Sequence, residues 1–199
     1  LGSETKVSDV LKGINQSLLR NINYKFRLYG SANLIKKKIE KYKKLIQASE
    51  IIDCDSFISM DDKPSDIIRT KENSSMYRAI KSVKDNHSEA LLSFGNTGAL
   101  MALSTVHLKT LEYIKRPAIA SIWPNIKGES VVLDLGANTK LDARYLIDNS
   151  ILGASLAAIL FKIDSPSIGL LNVGVEDNKG REEIKLASDK LKEFSKNID

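Results

Sequence analysis

Gly95-Asn96-Thr97-Gly98 is the segment whose residue types and spacing best suit chemistry. The apolar run Leu91-Leu92-Ser93-Phe94 stops there, and Leu100, Met101, Leu103 and Val106 follow at helical spacing. That order predicts a strand, a tight turn and a helix start within a few residues. The first amides of a helix lack an intrahelical acceptor, and the positive end of its dipole favours an anion. Such a turn suits a phosphate, with two glycines letting a ligand approach the backbone. A plain strand-to-helix connection fits the same residues, with glycine supplying positive φ and Thr97 the N-cap.

Two more turns carry polar or charged groups beside glycine. They are Asp134-Leu135-Gly136-Ala137-Asn138 and the stretch from Asn172 through Gly174 and Lys179 to Gly180. None of the three fits the three-glycine dinucleotide fingerprint or the Walker A pattern. A Gly-x-Ser-x-Gly elbow is absent, so an esterase-type serine nucleophile has no support. Cys54 is the only cysteine and the histidines are His87 and His107, which argues against a Cys/His zinc site. No metal is expected. His107 falls inside a helical pattern and reads as structural.

The elements that must position these turns alternate along the chain. Ser8 to Leu19 has helical spacing, Lys25 to Gly30 alternates like a strand, and Ala32 to Leu45 is a lysine-rich helix with Leu34, Ile35, Ile39 and Tyr42 inward. Ile51-Ile52 and Phe57-Ile58 are too short to assign. Pro64 to Thr70 and Ser74 to Val83 read as short helices, Glu89 to Phe94 as a strand, and Thr97 to Leu111 as a helix. Ala118 to Ile122 and Val131 to Leu135 read as strands, and Pro124 is not expected inside a regular central strand. Tyr145 to Phe161 is a long helix, Ile168 to Val173 a strand, and Glu182 to Phe194 a closing helix. This alternation predicts an α/β domain with a largely parallel sheet. Ligands in such folds bind outside the carboxyl ends of strands, where all three turns are expected, so they are expected to converge on one site.

The 199 residues suffice for one substantial domain or two small ones. A hydrophobic share of 42% with 28% charged residues fits a soluble globular chain. The longest apolar run, Ile151 to Phe161, is too short to span a bilayer and reads as a buried helix. No signal peptide is read at Gly2-Ser3-Glu4, and a single cysteine suits a reducing cytoplasm. The net charge of +5 is uneven, because Lys36, Lys37, Lys38, Lys41, Lys43 and Lys44 crowd one short segment. A solvated face, nucleic-acid binding and an acidic partner all compete to explain it. Nucleic acid is disfavoured, since no aromatic residues interleave as a stacking platform.

Ser93-Phe94-Gly95-Asn96-Thr97-Gly98-Ala99-Leu100-Met101, Asp134-Leu135-Gly136-Ala137-Asn138 and Leu170-Leu171-Asn172-Val173-Gly174 together resemble PlsX, the phosphate acyltransferase family of bacterial fatty acid and phospholipid synthesis. Met60-Asp61-Asp62-Lys63-Pro64, Lys71-Glu72-Asn73-Ser74-Ser75-Met76, Arg116-Pro117-Ala118 and Asn178-Lys179-Gly180 match in the same order. The resemblance implies transfer of a fatty acyl group from acyl carrier protein to inorganic phosphate, without a cofactor. It implies a three-layer α/β/α Rossmann-like sheet, similar to phosphate acetyltransferases and isocitrate/isopropylmalate dehydrogenases. It also implies a cytoplasmic homodimer that associates peripherally with the inner face of the membrane. Leu1 to Val7 departs from the family's opening Met-Gly-Gly-Asp-x-x-Pro turn. A single domain over 1–199 is expected, incomplete at both ends relative to the family.

That chemistry assigns phosphate to the Gly95-Asn96-Thr97-Gly98 turn, through the amides of Asn96, Thr97 and Gly98 and the Thr97 hydroxyl. Asn138 becomes the donor to the thioester carbonyl, Lys179 the cation, and Asp134 the carboxylate that orients a Lys or Asn, or a buried structural carboxylate. Ser74 and Arg69 are further candidates for substrate contact, whereas Lys71 is expected to face water. Lys37, Lys41 and Lys44 are candidates for docking the acidic carrier protein. Two other readings stand beside this one: a catalytically incomplete binding protein, and a phosphotransacetylase-like enzyme using a coenzyme A thioester.

Overall fold

The computed structural model describes residues 5–21, 23–136, 142–174 and 179–196, without the side chains of Arg69, Thr70, Ser195 and Lys196. The chain forms two compact units, Leu1–Lys109 and Thr110–Asp199.

The first unit begins with α1 (Val7–Arg20), β1 (Phe26–Gly30), α2 (Ala32–Ile39), α3 (Lys43–Gln47) and β2 (Ser49–Asp53). β1 and β2 pair in parallel, from Phe26 opposite Ser49 to Gly30 opposite Asp53. Ser31 caps α2 by accepting from the Leu34 amide, and Asp53 Oδ1 takes the Ala32 amide at 2.7 Å. The strand end is thereby tied to the helix start. Leu11 and Leu18 of α1 pack with Ile39 and Leu45 into one core cluster.

The lysine-rich segment is two helices, not the single helix expected. Neither glycine nor proline breaks it; the chain turns at Tyr42 (φ −113°, ψ 72°). A straight helix would carry the stripe of Ile35 and Ile39 on to Tyr42 and Ile46. The break instead buries Leu45 completely and leaves Ile46 exposed. Burying a leucine is worth about 1.5–3 kcal/mol, which offsets much of the loss of a few backbone bonds at about 0.5–1.5 kcal/mol each.

The unit continues with α4 (Pro64–Thr70), α5 (Ser75–Lys84) and α6 (Thr97–Leu108). Ile58, Ile67, Met76, Ile80, Ala99 and Leu103 form the second cluster, which locks these three helices together. Pro64 occupies the first turn of α4, where its missing N–H costs nothing. Glu89 to Phe94, expected as a strand, joins no ladder among the described residues. A strand is held by its neighbours, and a short apolar run cannot supply one. α6 stops three residues short of the expected Leu111, because Lys109 adopts φ 71°.

The second unit holds β3 (Ala120–Asn125), β4 (Gly128–Leu133), α7 (Ala143–Phe161) and α8 (Glu182–Lys196). β3 and β4 form an antiparallel hairpin, whereas the sheet as a whole was expected to be largely parallel. Pro124 lies inside β3, opposite Glu129, so the strand runs past the Ile122 at which it was expected to end. The expectation assumed a central strand, and a two-stranded ribbon has an open edge that accommodates a residue without N–H. Ile168 to Val173 forms no ladder among the described residues. The fold is therefore mixed α/β, with one parallel and one antiparallel pair among them.

α7 corrects the reading of a short buried apolar run. It has 19 residues and is long and apolar enough to cross a membrane by length and composition. Ile151, Ile159 and Leu160 are exposed, while Tyr145, Ile147, Asp148, Asn149 and Ser150 are buried. Asp148 is paired with Arg144 one turn earlier at 2.7 Å, and Gly153 admits Leu133 of β4.

Candidate functional site

Asn96, not Thr97, is the N-cap of α6 (φ −59°, ψ 111°). Its Oδ1 accepts from the Ala99 amide at 3.0 Å, and its carbonyl accepts from the Leu100 amide. Its Nδ2 donates to the carbonyls of Ser59, Met60 and Asp62 at 3.2, 3.1 and 3.0 Å. Three acceptors share two protons, so this 8% exposed side chain is spent within the protein. The backbone amides of Thr97 and Gly98, at the exposed start of the helix, have no intrahelical acceptor.

Gly95 and Gly98 are not at positive φ, so the conformational reason for glycine does not apply to them. Close packing is the reason. A Cβ on Gly98 would stand 3.1 Å from Pro64 Cγ, and one on Gly95 would stand 3.3 Å from Met76 Cε. The turn is thus backed by the start of α4 and by α5.

The loop from Ser59 to Lys63, which precedes α4 and accepts from Asn96, is itself closed. Asp62 Oδ2 accepts from the Ser59 amide at 2.8 Å, and Lys71 Nζ lies 3.8 Å from the same oxygen. Lys71 also donates to the Phe57 carbonyl at 3.5 Å, so it holds the loop and does not simply face water. Ser74 is fully buried and caps α5 by accepting from the Tyr77 amide. Arg69 belongs to α4, and its side chain lies outside the described residues.

The other two turns belong to the second unit, whereas Gly95 to Gly98 belongs to the first. Asp134 ends β4 at φ 61°, its amide donating to Ile119 and its carbonyl accepting from Gly136. Asn138 lies outside the described residues. The third turn is closed by Asn172, whose Nδ2 donates to the Lys179 carbonyl and whose Oδ1 accepts from the Val173 amide. Gly180 sits at φ 88° directly against that side chain, so any larger residue would collide with the Asn172 amide as well as strain the backbone. Lys179 itself is exposed.

Lys37, Lys41 and Lys44 are exposed on α2, α3 and the turn between them, opposite the buried Ile35, Ile39 and Leu45. Lys41 Nζ stands 5.1 Å over the Tyr42 ring. Among the described residues no group of three His, Cys, Asp or Glu side chains is arranged to hold a metal. Sequence reasoning missed the roles of the Asn96 and Asn172 side chains. An Asn immediately before a helix start is a capping signal, and it was available for Asn96.

The family described as "Fatty acid synthesis protein" matches residues 1–198. A protein of Mesorhizobium japonicum named "Phosphate acyltransferase" is 43% identical over 194 residues, which is 97% of this chain and 54% of the relative. Relatives with the same name in Rhodopseudomonas palustris strain BisB18 and in Chelativorans sp. are 43% and 46% identical, over 98% and 87% of this chain. These matches cover 56% and 50% of those two proteins, so the chain spans about half the length of the curated relatives it matches. With the motifs read above in the same order along nearly all 199 residues, the chain belongs to the PlsX family of phosphate acyltransferases.

Proposed function

We propose that this chain is part of an enzyme that moves a fatty acyl group from acyl carrier protein to inorganic phosphate. The relationship to proteins named phosphate acyltransferase, over 97% of the chain, is the observation that carries the reading. The exposed start of α6 supports it, because the accessible amides of Thr97 and Gly98 suit a phosphate.

In this reaction a phosphate oxygen attacks the thioester carbonyl, the tetrahedral oxyanion collapses, and the carbon–sulfur bond breaks. Acyl phosphate and the carrier thiolate, which takes up a proton, are the products. Phosphate is a competent nucleophile, so the protein needs no nucleophile of its own. Its work is to hold phosphate in place and to stabilise the developing oxyanion, which together remove much of the barrier. Thr97 supplies a hydroxyl donor to phosphate, beside the amides of Thr97 and Gly98. In the second unit, Asn138, Lys179 and Asp134 are candidates for carbonyl donor, cation and orienting carboxylate. The complete protein is proposed to form the three-layer α/β/α sheet of the dehydrogenase-like and phosphate acetyltransferase-like folds. A cytoplasmic homodimer touching the inner membrane face goes with this reading.

Thr97→Val tests the phosphate site in the full-length protein. Loss of a hydrogen bond to a charged group costs about 1.5–3 kcal/mol, or about tenfold to a hundredfold in the KM for phosphate. An unchanged KM removes Thr97 from the site. Asn138→Ala should instead lower kcat and leave phosphate binding as it was.

A further inference from the structure

The backbone of Lys179 is held from both directions along the chain. Before it, Asn172 Nδ2 donates to the Lys179 carbonyl at 3.2 Å across a span of seven residues, while Oδ1 of the same side chain accepts from the Val173 amide at 2.9 Å. A carboxamide suits both bonds, because it carries a donor and an acceptor side by side. Gly180 lies at φ 88° against this amide, where an added Cβ would collide with Asn172 Oδ1. After it, the Arg181 carbonyl accepts from the Ile184 and Lys185 amides at the start of α8, whose Ala187 is completely buried. The three cations from Lys179 to Lys185 are not alike. Arg181 Nε stands 3.5 Å from Glu183 and Lys185 Nζ stands 3.2 Å from Glu182. Lys179 is exposed, and no ion pair engages its ammonium among the described residues.

We propose that Asn172 is a positioning residue for acyl transfer: seated against Gly180, its carboxamide fixes the backbone from which Lys179 leaves the chain. This rests on the reading of Lys179 as the cation of the reaction and deepens it. Each end of the Asn172 amide is engaged within the turn, so the residue acts through Lys179 and not by touching substrate. Clasp and helix divide the work. The start of α8 pairs its own neighbouring cations with Glu182 and Glu183, and the clasp holds the lysine that these carboxylates leave unpaired. Gly180 is needed for two reasons at once, its positive φ and the room it leaves for the amide. A lysine keeps a flexible four-carbon stem beyond a fixed Cα, so losing the clasp costs less than losing the cation.

A double-mutant cycle in the full-length enzyme, with phosphate and acyl donor each varied, tests the proposal. Lys179→Met should lower kcat/KM about tenfold to a hundredfold, and Asn172→Ala about threefold to tenfold. Whichever of kcat and KM the lysine substitution moves, the asparagine substitution should move the same one. In the Lys179→Met background Asn172→Ala should add little, because its effect passes through the lysine. Additive effects, or a change in a different parameter, would overturn the positioning role. Gly180→Ala drives a Cβ into the Asn172 amide and provides a second route if Asn172→Ala does not fold. It too should lose most of its effect once Lys179 is Met, and an undiminished effect there would overturn the proposal. Full activity in Lys179→Met would overturn it as well, by removing the cation. A wild-type enzyme that uses no phosphate would instead sink the functional reading itself.

Discussion

His107 shows how a residue of catalytic type can be fixed as structural by its surroundings. Its ring stands edge-on to Tyr77, with centroids 4.8 Å apart, and its Nε2 is buried with no hydrogen-bond partner among the described residues. Burial lowers its pKa from 6.5, Lys84 and Lys109 lower it further, and Glu72 opposes them. The folded protein therefore resists protonating His107 more than the unfolded chain does. Its contribution to stability is complete above the unfolded value and is lost as pH falls from about 6.5 towards the lower folded pKa. Urea midpoints should drop between about pH 7.5 and about pH 5.5, and His107→Phe, which retains a ring on Tyr77, should make that drop smaller. An equal drop in the variant would remove His107 as its source. Asn96 is the opposite case, a polar residue whose every side-chain bond is internal and whose burial is compensated in full.

At the scale of elements, the break between α2 and α3 decides which lysines share a face and which apolar residues anchor them. Leu45 is completely buried although it sits beside Lys44 in a five-residue helix. Leu45→Ala should cost about 2–5 kcal/mol in urea unfolding, because its cluster with Leu11, Leu18 and Ile39 would be left with a cavity. Ile46→Ala, at a neighbouring exposed position, should stay within about 0.5 kcal/mol of wild type. Equal losses at both positions would contradict the break. The caps show the same dependence on context. Ser31, Ser74, Asn96 and Asp142 each accept from an amide three residues on, and such signals were legible as short polar residues before periodic apolar ones.

At the scale of the whole molecule, charge is the property that the sequence reports most directly. Lys37, Lys41 and Lys44 project into solvent from a segment anchored by buried Ile35, Ile39 and Leu45. Opposite charge speeds encounter more than it tightens a final complex, and screening limits it to about 8 Å at physiological salt. Replacing the three lysines by Gln in the full-length enzyme should slow kcat/KM for acyl carrier protein at low salt. Turnover at saturation should be nearly unchanged, and the difference should fade as salt is added. Identical carrier-protein kinetics across salt would reduce these lysines to a solvated face. The sequence alone determined the family, the helices α1, α4, α5, α7 and α8, and the charged segment, because motif order, apolar period and composition are local properties of the chain. It could not determine which segments pair as strands, since a ladder exists only when a distant partner arrives: Glu89–Phe94 and Ile168–Val173 are short apolar runs yet join none among the described residues. Nor could it reveal that Asn96 binds a loop more than thirty residues earlier. Tertiary packing alone brings the Ser59–Asp62 carbonyls to that amide, and with them the reason Gly98 must stay small beside Pro64.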